Sequence, residues 1–235
     1  MKSIKFLEVE NGEDVAAVHH DCDSDLWIFF CHGYGSGKDG SYVQRCERAV
    51  ENGFNAVRFD FRGNGESDGD FIDQTLSSRI QDLKRVISEF DPERFCLFGM
   101  SFGGKVVLHS LEDLSPQSVV LKSPVLLDNE MKEFREIVEK EGSYTHFGDK
   151  TIDRSFFEDY DRYSFDQTVK NIEAPLTIFH GLEDETVSPE STLEAAKKIE
   201  TDLRIEIIEG ESHSMSDKAE HKLQEKMFDQ ISRNV

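Results

Sequence analysis

The sequence predicts an α/β fold: a mostly parallel eight-stranded sheet with helices on both faces and a small helical cap inserted late in the chain. Three observations lead there. Short apolar runs rich in β-branched and aromatic residues alternate with segments of helical period through most of the 235 residues, the order that builds parallel sheets from helical crossovers. Those runs are apolar at successive positions, as strands buried on both faces must be. One interval, residues 125–171, is far longer than the roughly dozen residues a simple crossover needs.

Taken in order, the chain opens with an exception to the parallel pattern. Residues 3–9 and 14–20 flank Asn11-Gly12, a dipeptide suited to a tight hairpin, so the first two strands should be antiparallel. Strands are then expected at 26–31, 56–60, 95–98, 118–121, 175–179 and 203–208, with helices at 42–51, 76–90, 102–112, 189–199 and 216–231. Pro189 suits a first helical turn. The interval 125–171 holds Phe134, Tyr144, Phe147, Phe156, Phe157, Tyr160, Tyr163 and Phe165 among acids and bases. This suits a small helical cap over a cleft at the strand ends; the plainer alternative is an extra helical pair packing its aromatics inward. With no repeat, low-complexity tract or linker, a single domain over 1–235 is expected, carrying the cap at about 125–171.

Composition limits the functions open to such a fold. The chain is 37% hydrophobic and 32% charged, with a mean hydropathy of −0.53, and its apolar runs fall short of the roughly 18 residues of a membrane span. The N-terminal residues lack the basic region, apolar core and cleavage site of a secretory signal. The expectation is a cytoplasmic protein without membrane insertion. Cys22, Cys31, Cys46 and Cys96 form no C-x-x-C pair, so all four should be reduced and structural, and no metal site is expected. Lys+Arg 27 against Asp+Glu 48 leave a formal charge of −21, a field that repels nucleic acid, anionic membranes and polyphosphates.

The chemistry concentrates in four loops at strand ends. Gly99-Met100-Ser101-Phe102-Gly103 lies between a buried strand and a helix, the context a nucleophile elbow demands. Context matters here, because a bare G-x-S-x-G arises by chance in roughly 8% of chains this long. A serine needs a base, and His213 is the histidine that falls in a polar loop after the last strand and before the last helix. An imidazole needs a carboxylate to hold its tautomer. Asp184, directly after strand 175–179, is the choice, which sets the chain order Ser, Asp, His. Glu183 and Glu185 could serve on chemistry alone, and Asp128 is a topological rival. Oxyanion donors should be the N–H of Phe102 and that of Tyr34 in the glycine-rich loop His32 to Gly37. That loop lacks the terminal Gly-Lys-Ser/Thr of a phosphate cradle. His32 and His180 each end a strand before a glycine and are read as structural.

Together these pieces resemble the α/β-hydrolase superfamily, and within it the capped microbial carboxylesterases that include cinnamoyl and feruloyl esterases and monoacylglycerol-lipase-like enzymes. The resemblance covers almost the whole chain. Besides the elbow it rests on His32-Gly33-Tyr34-Gly35, on the run from Arg58 to Ser67, on Gly181-Leu182-Glu183-Asp184-Glu185-Thr186-Val187 and on Gly210-Glu211-Ser212-His213. It implies that the run from Asp60 to Ser67 is a structural turn, and it implies no cofactor. Met100 departs from the family, standing where those esterases often carry His or another polar residue. The expected activity is hydrolysis of a small or medium, largely apolar ester through an acyl-enzyme. An amidase, aminopeptidase-like or thioesterase activity is the rival on the same fold, and a hydrolase-fold binding protein without turnover is the non-enzymatic one.

Overall fold

Strands form where the apolar runs lie. The computed structural model describes residues 2–146 and 148–234, so Phe147 lies outside the described residues. Its strands are β1 (Lys2–Glu10), β2 (Glu13–His20), β3 (Leu26–Cys31), β4 (Asn55–Phe59), β5 (Arg94–Met100), β6 (Ser118–Lys122), β7 (Ser143–His146), β8 (Lys150–Asp153), β9 (Leu176–Gly181) and β10 (Leu203–Ile208). Among the described residues eight of these make the main sheet, in the order β1-β2-β4-β3-β5-β6-β9-β10. β1 and β2 are antiparallel, β2 pairs antiparallel with β4, and from β4 to β10 every pairing is parallel. Asn11 and Gly12 take positive φ of 55° and 77°, the values a two-residue hairpin of this twist requires.

The helices are α1 (Ser41–Glu51), α2 (Leu76–Phe90), α3 (Phe102–Ser110), α4 (Lys132–Glu141), α5 (Arg154–Tyr160), α6 (Phe165–Thr168), α7 (Pro189–Ala196) and α8 (Asp217–Asn234). They cover both faces. In β3, Phe29 and Cys31 pack with α2 and α3, whereas Ile28 and Phe30 pack with Tyr42 and Cys46 of α1 and Leu223 and Met227 of α8. The alternation is the strand period, and both faces are apolar because each meets helices. Among the described residues no helix is long and apolar enough to cross a membrane.

The insertion after β6 is helical at α4, α5 and α6 and also carries an antiparallel pair, β7 with β8. Its aromatics divide between the two expected roles. Phe156, Phe157, Tyr160 and Phe165 are buried in the main core, with Phe156 against Phe102 of α3 at 5.8 Å between ring centroids. Phe134 and His146 instead line the cavity described below. Most of the aromatic content thus attaches the insertion, and a smaller part faces the site.

Candidate active site

Ser101 sits between β5 and α3 at φ 54° and ψ −123°, a region that non-glycine residues avoid at a cost of about 1–3 kcal/mol. Close packing holds it there. A Cβ at Gly99 would lie 2.6 Å from Gly103 O, and one at Gly103 would lie 2.4 Å from His32 O. Only glycine lets α3 start this near the strand ends. The Ser101 N–H donates to Lys122 O (3.0 Å), and Ser101 O accepts from the N–H groups of Gly104 and Val125 (2.9 and 3.0 Å), so the turn is satisfied through its backbone. Phe102 is the first residue of α3, and its N–H therefore precedes the helical hydrogen-bond ladder.

Asp184 and His213 meet because β9 and β10 are parallel neighbours. His180 pairs with Ile207 and Gly181 with Ile208. Beyond the ladder, Leu182 N–H donates to Ile208 O and Glu183 N–H to Glu211 O, each at 2.9 Å. The two loops leave the sheet side by side, and Asp184 Oδ2 comes 2.7 Å from His213 Nδ1. Glu183 and Glu185 are exposed while Asp184 is buried, which separates three acids that chemistry alone leaves equal. Asp128 accepts instead from Lys105 Nζ at 3.0 Å.

The Asp184 carboxylate is saturated with donors. Oδ1 accepts from the N–H groups of Thr186 and Val187, both at 2.9 Å, and Oδ2 also lies 3.2 Å from His180 Nε2. Burial opposes ionisation, yet the hydrogen bonds from His180, His213 and Val187 N–H hold this carboxyl well below the usual carboxylate range. A carboxylate only accepts, so His213 Nδ1 carries a proton and Nε2 keeps its lone pair when the ring is neutral. Ser101 and His213 line one cavity of about 520 Å³. Among the described residues no hydrogen bond joins Ser101 Oγ to His213, a contact that in such sites often tightens only on substrate binding.

Tyr34 and Phe102 border the same cavity, together with Met100, Val125, Met131, Phe134 and Val187, and Glu130 and His146 add polar groups to this largely apolar wall. Glu130 Oε2 accepts from the N–H groups of Leu126 and Leu127 (2.5 and 2.8 Å), and burial pushes its carboxyl up. The Tyr34 ring packs edge-on against Phe71 at 5.0 Å. His32 fixes the loop beneath it: Nδ1 lies 2.8 Å from Gly33 O, and Nε2 accepts from Phe61 N–H at 3.1 Å. His180 Nδ1 meets Thr192 Oγ1 at 2.8 Å and Nε2 meets Val187 O at 2.9 Å. Its additional contact with Asp184, and the cavity positions of Glu130 and His146, have no signature in local sequence. Among the described residues no group of three or more His, Cys, Asp or Glu is arranged to hold a metal ion.

Comparison with known proteins agrees with this fold. The family model described as "Serine aminopeptidase, S33" matches residues 23–146, just over half of the chain. Palmitoyl-protein thioesterase ABHD10, mitochondrial, of Homo sapiens is 24% identical over 213 residues, spanning 83% of this chain and 69% of that protein. Among solved structures, alpha/beta hydrolase domain-containing protein 10 from mouse superposes with a TM-score of 0.87 at 22% identity, covering 99% of this chain and 100% of that one. Est1E from Butyrivibrio proteoclasticus, with ferulic acid bound, gives 0.83 at 19% identity over 97% of this chain and 99% of that one.

Proposed function

Because the chain belongs to the serine aminopeptidase S33 family of α/β-hydrolases, we propose that it is a serine hydrolase cleaving carboxylic esters of small to medium, largely apolar substrates through an acyl-enzyme. His213 Nε2 takes the Ser101 hydroxyl proton as Oγ bonds to the carbonyl carbon, and Asp184 steadies the imidazolium that forms. The carbonyl oxygen, now an oxyanion, accepts from the N–H groups of Tyr34 and Phe102. Collapse of the adduct expels the alcohol, which takes the proton from His213. Water then repeats the sequence and releases the acid.

One observation carries this reading: a buried, fully donated carboxylate 2.7 Å from the imidazole that shares a cavity with the strained Ser101. The apolar wall built from Met100, Met131, Phe134 and Val187 supports an apolar acyl or alcohol group. The test is a panel of p-nitrophenyl esters of varied acyl length, run on wild type and Ser101→Ala. Turnover by wild type and its loss in the variant are expected. Equal turnover in the two would exclude the proposal, and turnover by neither would favour a ligand-binding role.

Thioester cleavage is the second reading, favoured by the relatives named as palmitoyl-protein thioesterases. The charge of −21 disfavours acyl-CoA, whose phosphates it would repel, and so points to S-acyl groups on uncharged carriers. Rates on matched oxoesters, thioesters and p-nitroanilides discriminate, and faster anilide turnover would transfer the assignment to the amidase class. We further propose that the protein works in a reducing compartment, the cytoplasm. The four cysteines, all free, support this, and subcellular fractionation against compartment markers tests it.

A further inference from the structure

Between β5, which leads directly into Ser101, and β9, whose following loop carries Asp184, lies β6, and its last residue is a buried lysine. Lys122 is 1% exposed. Its two ends reach the two halves of the site. The backbone carbonyl accepts the Ser101 N–H at 3.0 Å. The ammonium donates to Ser214 O, the carbonyl directly after His213, at 2.8 Å, and to Glu220 Oε2 of α8 at 2.5 Å. Glu220 is held in turn by Arg45, whose Nε donates to Oε1 at 2.8 Å and whose guanidinium lies 5.0 Å from the Phe98 ring centroid.

The loop being held is exposed over much of its length. Ser212, Ser214 and Ser216 are exposed, and Met215 adopts a φ of 59°, a conformation disfavoured for residues with a Cβ. Within the loop, Ser216 N–H and Oγ donate to Glu211 at 2.6 and 2.7 Å and Met215 N–H donates to Ser212 O at 3.2 Å; the Lys122 bond adds an attachment to β6, on the nucleophile's side, and proton transfer from Ser101 demands hydrogen-bond reach. A buried ammonium costs desolvation and is retained where partners satisfy it. Here the partners are a glutamate and the carbonyl beside the base.

We propose that Lys122 is a positioning residue that sets the separation of Ser101 and His213, by fastening the nucleophile's backbone with its carbonyl and the base's loop with its ammonium. The inference rests on the hydrolase reading above. Lys122→Met removes the donor to Ser214 O, and the base's loop relaxes. Misplacement of about 1 Å costs about 100-fold in turnover, so kcat is expected to fall about 100-fold with KM changed less than about threefold, measured well below the unfolding temperature. Lys122→Arg, which keeps donors for both acceptors, should recover most of the loss. Glu220→Gln should lower the unfolding temperature while leaving kcat within about threefold, because the lysine still reaches Ser214.

A readout independent of hydrolysis separates this inference from the activity itself. The downfield proton-NMR resonance of His213 Nδ1–H, bonded to Asp184, should exchange with solvent at least about tenfold faster in Lys122→Met than in wild type or Glu220→Gln. Should Lys122→Met not fold, Lys122→Gln, too short to bridge both acceptors, carries the same comparison. An unchanged kcat with an unchanged exchange rate would overturn the inference. Faster exchange in a protein that hydrolyses no ester would uphold it while refuting the ester reading.

Discussion

Replacing Asp184 by asparagine isolates the tautomer argument from the packing around it. Oδ1 accepts two backbone N–H groups at 2.9 Å, so the amide oxygen of Asp184→Asn must stay on that side. The amide nitrogen then faces His213 Nδ1 across the former 2.7 Å contact. Two donors cannot share it, and the imidazole must offer Nδ1 as acceptor, which moves the proton to Nε2 and leaves no base for Ser101. His180 Nε2 loses its 3.2 Å contact with Oδ2 but keeps Val187 O at 2.9 Å, so most of the shell survives. A wrong-tautomer histidine costs about 10⁴ in kcat, which at about 1.36 kcal/mol per decade is about 5.4 kcal/mol of barrier. Alanine at the same position would also strand the buried Val187 N–H at about 1–3 kcal/mol, which confounds activity with stability. The assay is kcat and KM on a p-nitrophenyl ester, with thermal unfolding of the same samples. A kcat within tenfold of wild type, in a folded Asp184→Asn protein, would refute the reasoning.

Three further outcomes follow from the same geometry. Burial lowers the pKa of His20, His32 and His109 from 6.5 to about 4, 4 and 3. The unfolded chain then takes up protons between pH 6.5 and 4 that the folded chain refuses, so stability is full above pH 6.5 and declines through that window on acidification. Denaturant titrations at several pH values should show the decline, with a shallower slope in His32→Gln; a flat profile would contradict it. Gly103→Ala should destabilise by about 3 kcal/mol or more, since its Cβ meets backbone oxygens at 2.4 and 2.6 Å that cannot swing aside; an unchanged unfolding temperature would remove the steric account of the elbow. Phe134→Ala enlarges the cavity wall and should shift the acyl-length optimum towards longer chains, with kcat/KM ratios changing about tenfold; an unaltered length profile would take Phe134 out of the substrate's reach.

Features encoded within a few residues were legible in the chain. The hairpin at Asn11-Gly12, the doubly buried strand from Leu26 to Cys31 and the elbow around Ser101 each have a local cause, in positive φ, apolar neighbours or a close approach. Asp184 and His213 were legible through their order after successive strands, and the β9–β10 pairing explains why that order brings them together. What stayed hidden depends on contacts distant in sequence. Lys122 reads as an unremarkable lysine at a strand end until β6 is set beneath the histidine loop. His180 reads as a strand terminus until the following loop folds Asp184 back onto it. β7 and β8 have four residues each and largely polar sequences, so their pairing lacks the apolar alternation that would announce it.

Ser101 should be the one hydroxyl activated by His213. Reaction with a fluorophosphonate, followed by peptide mass spectrometry and by the rate of labelling, tests that directly. A single adduct is expected on the peptide bearing Ser101, absent in Ser101→Ala and slowed at least about 100-fold in His213→Ala. An adduct on another residue, or equal labelling rates with and without the imidazole, would contradict it.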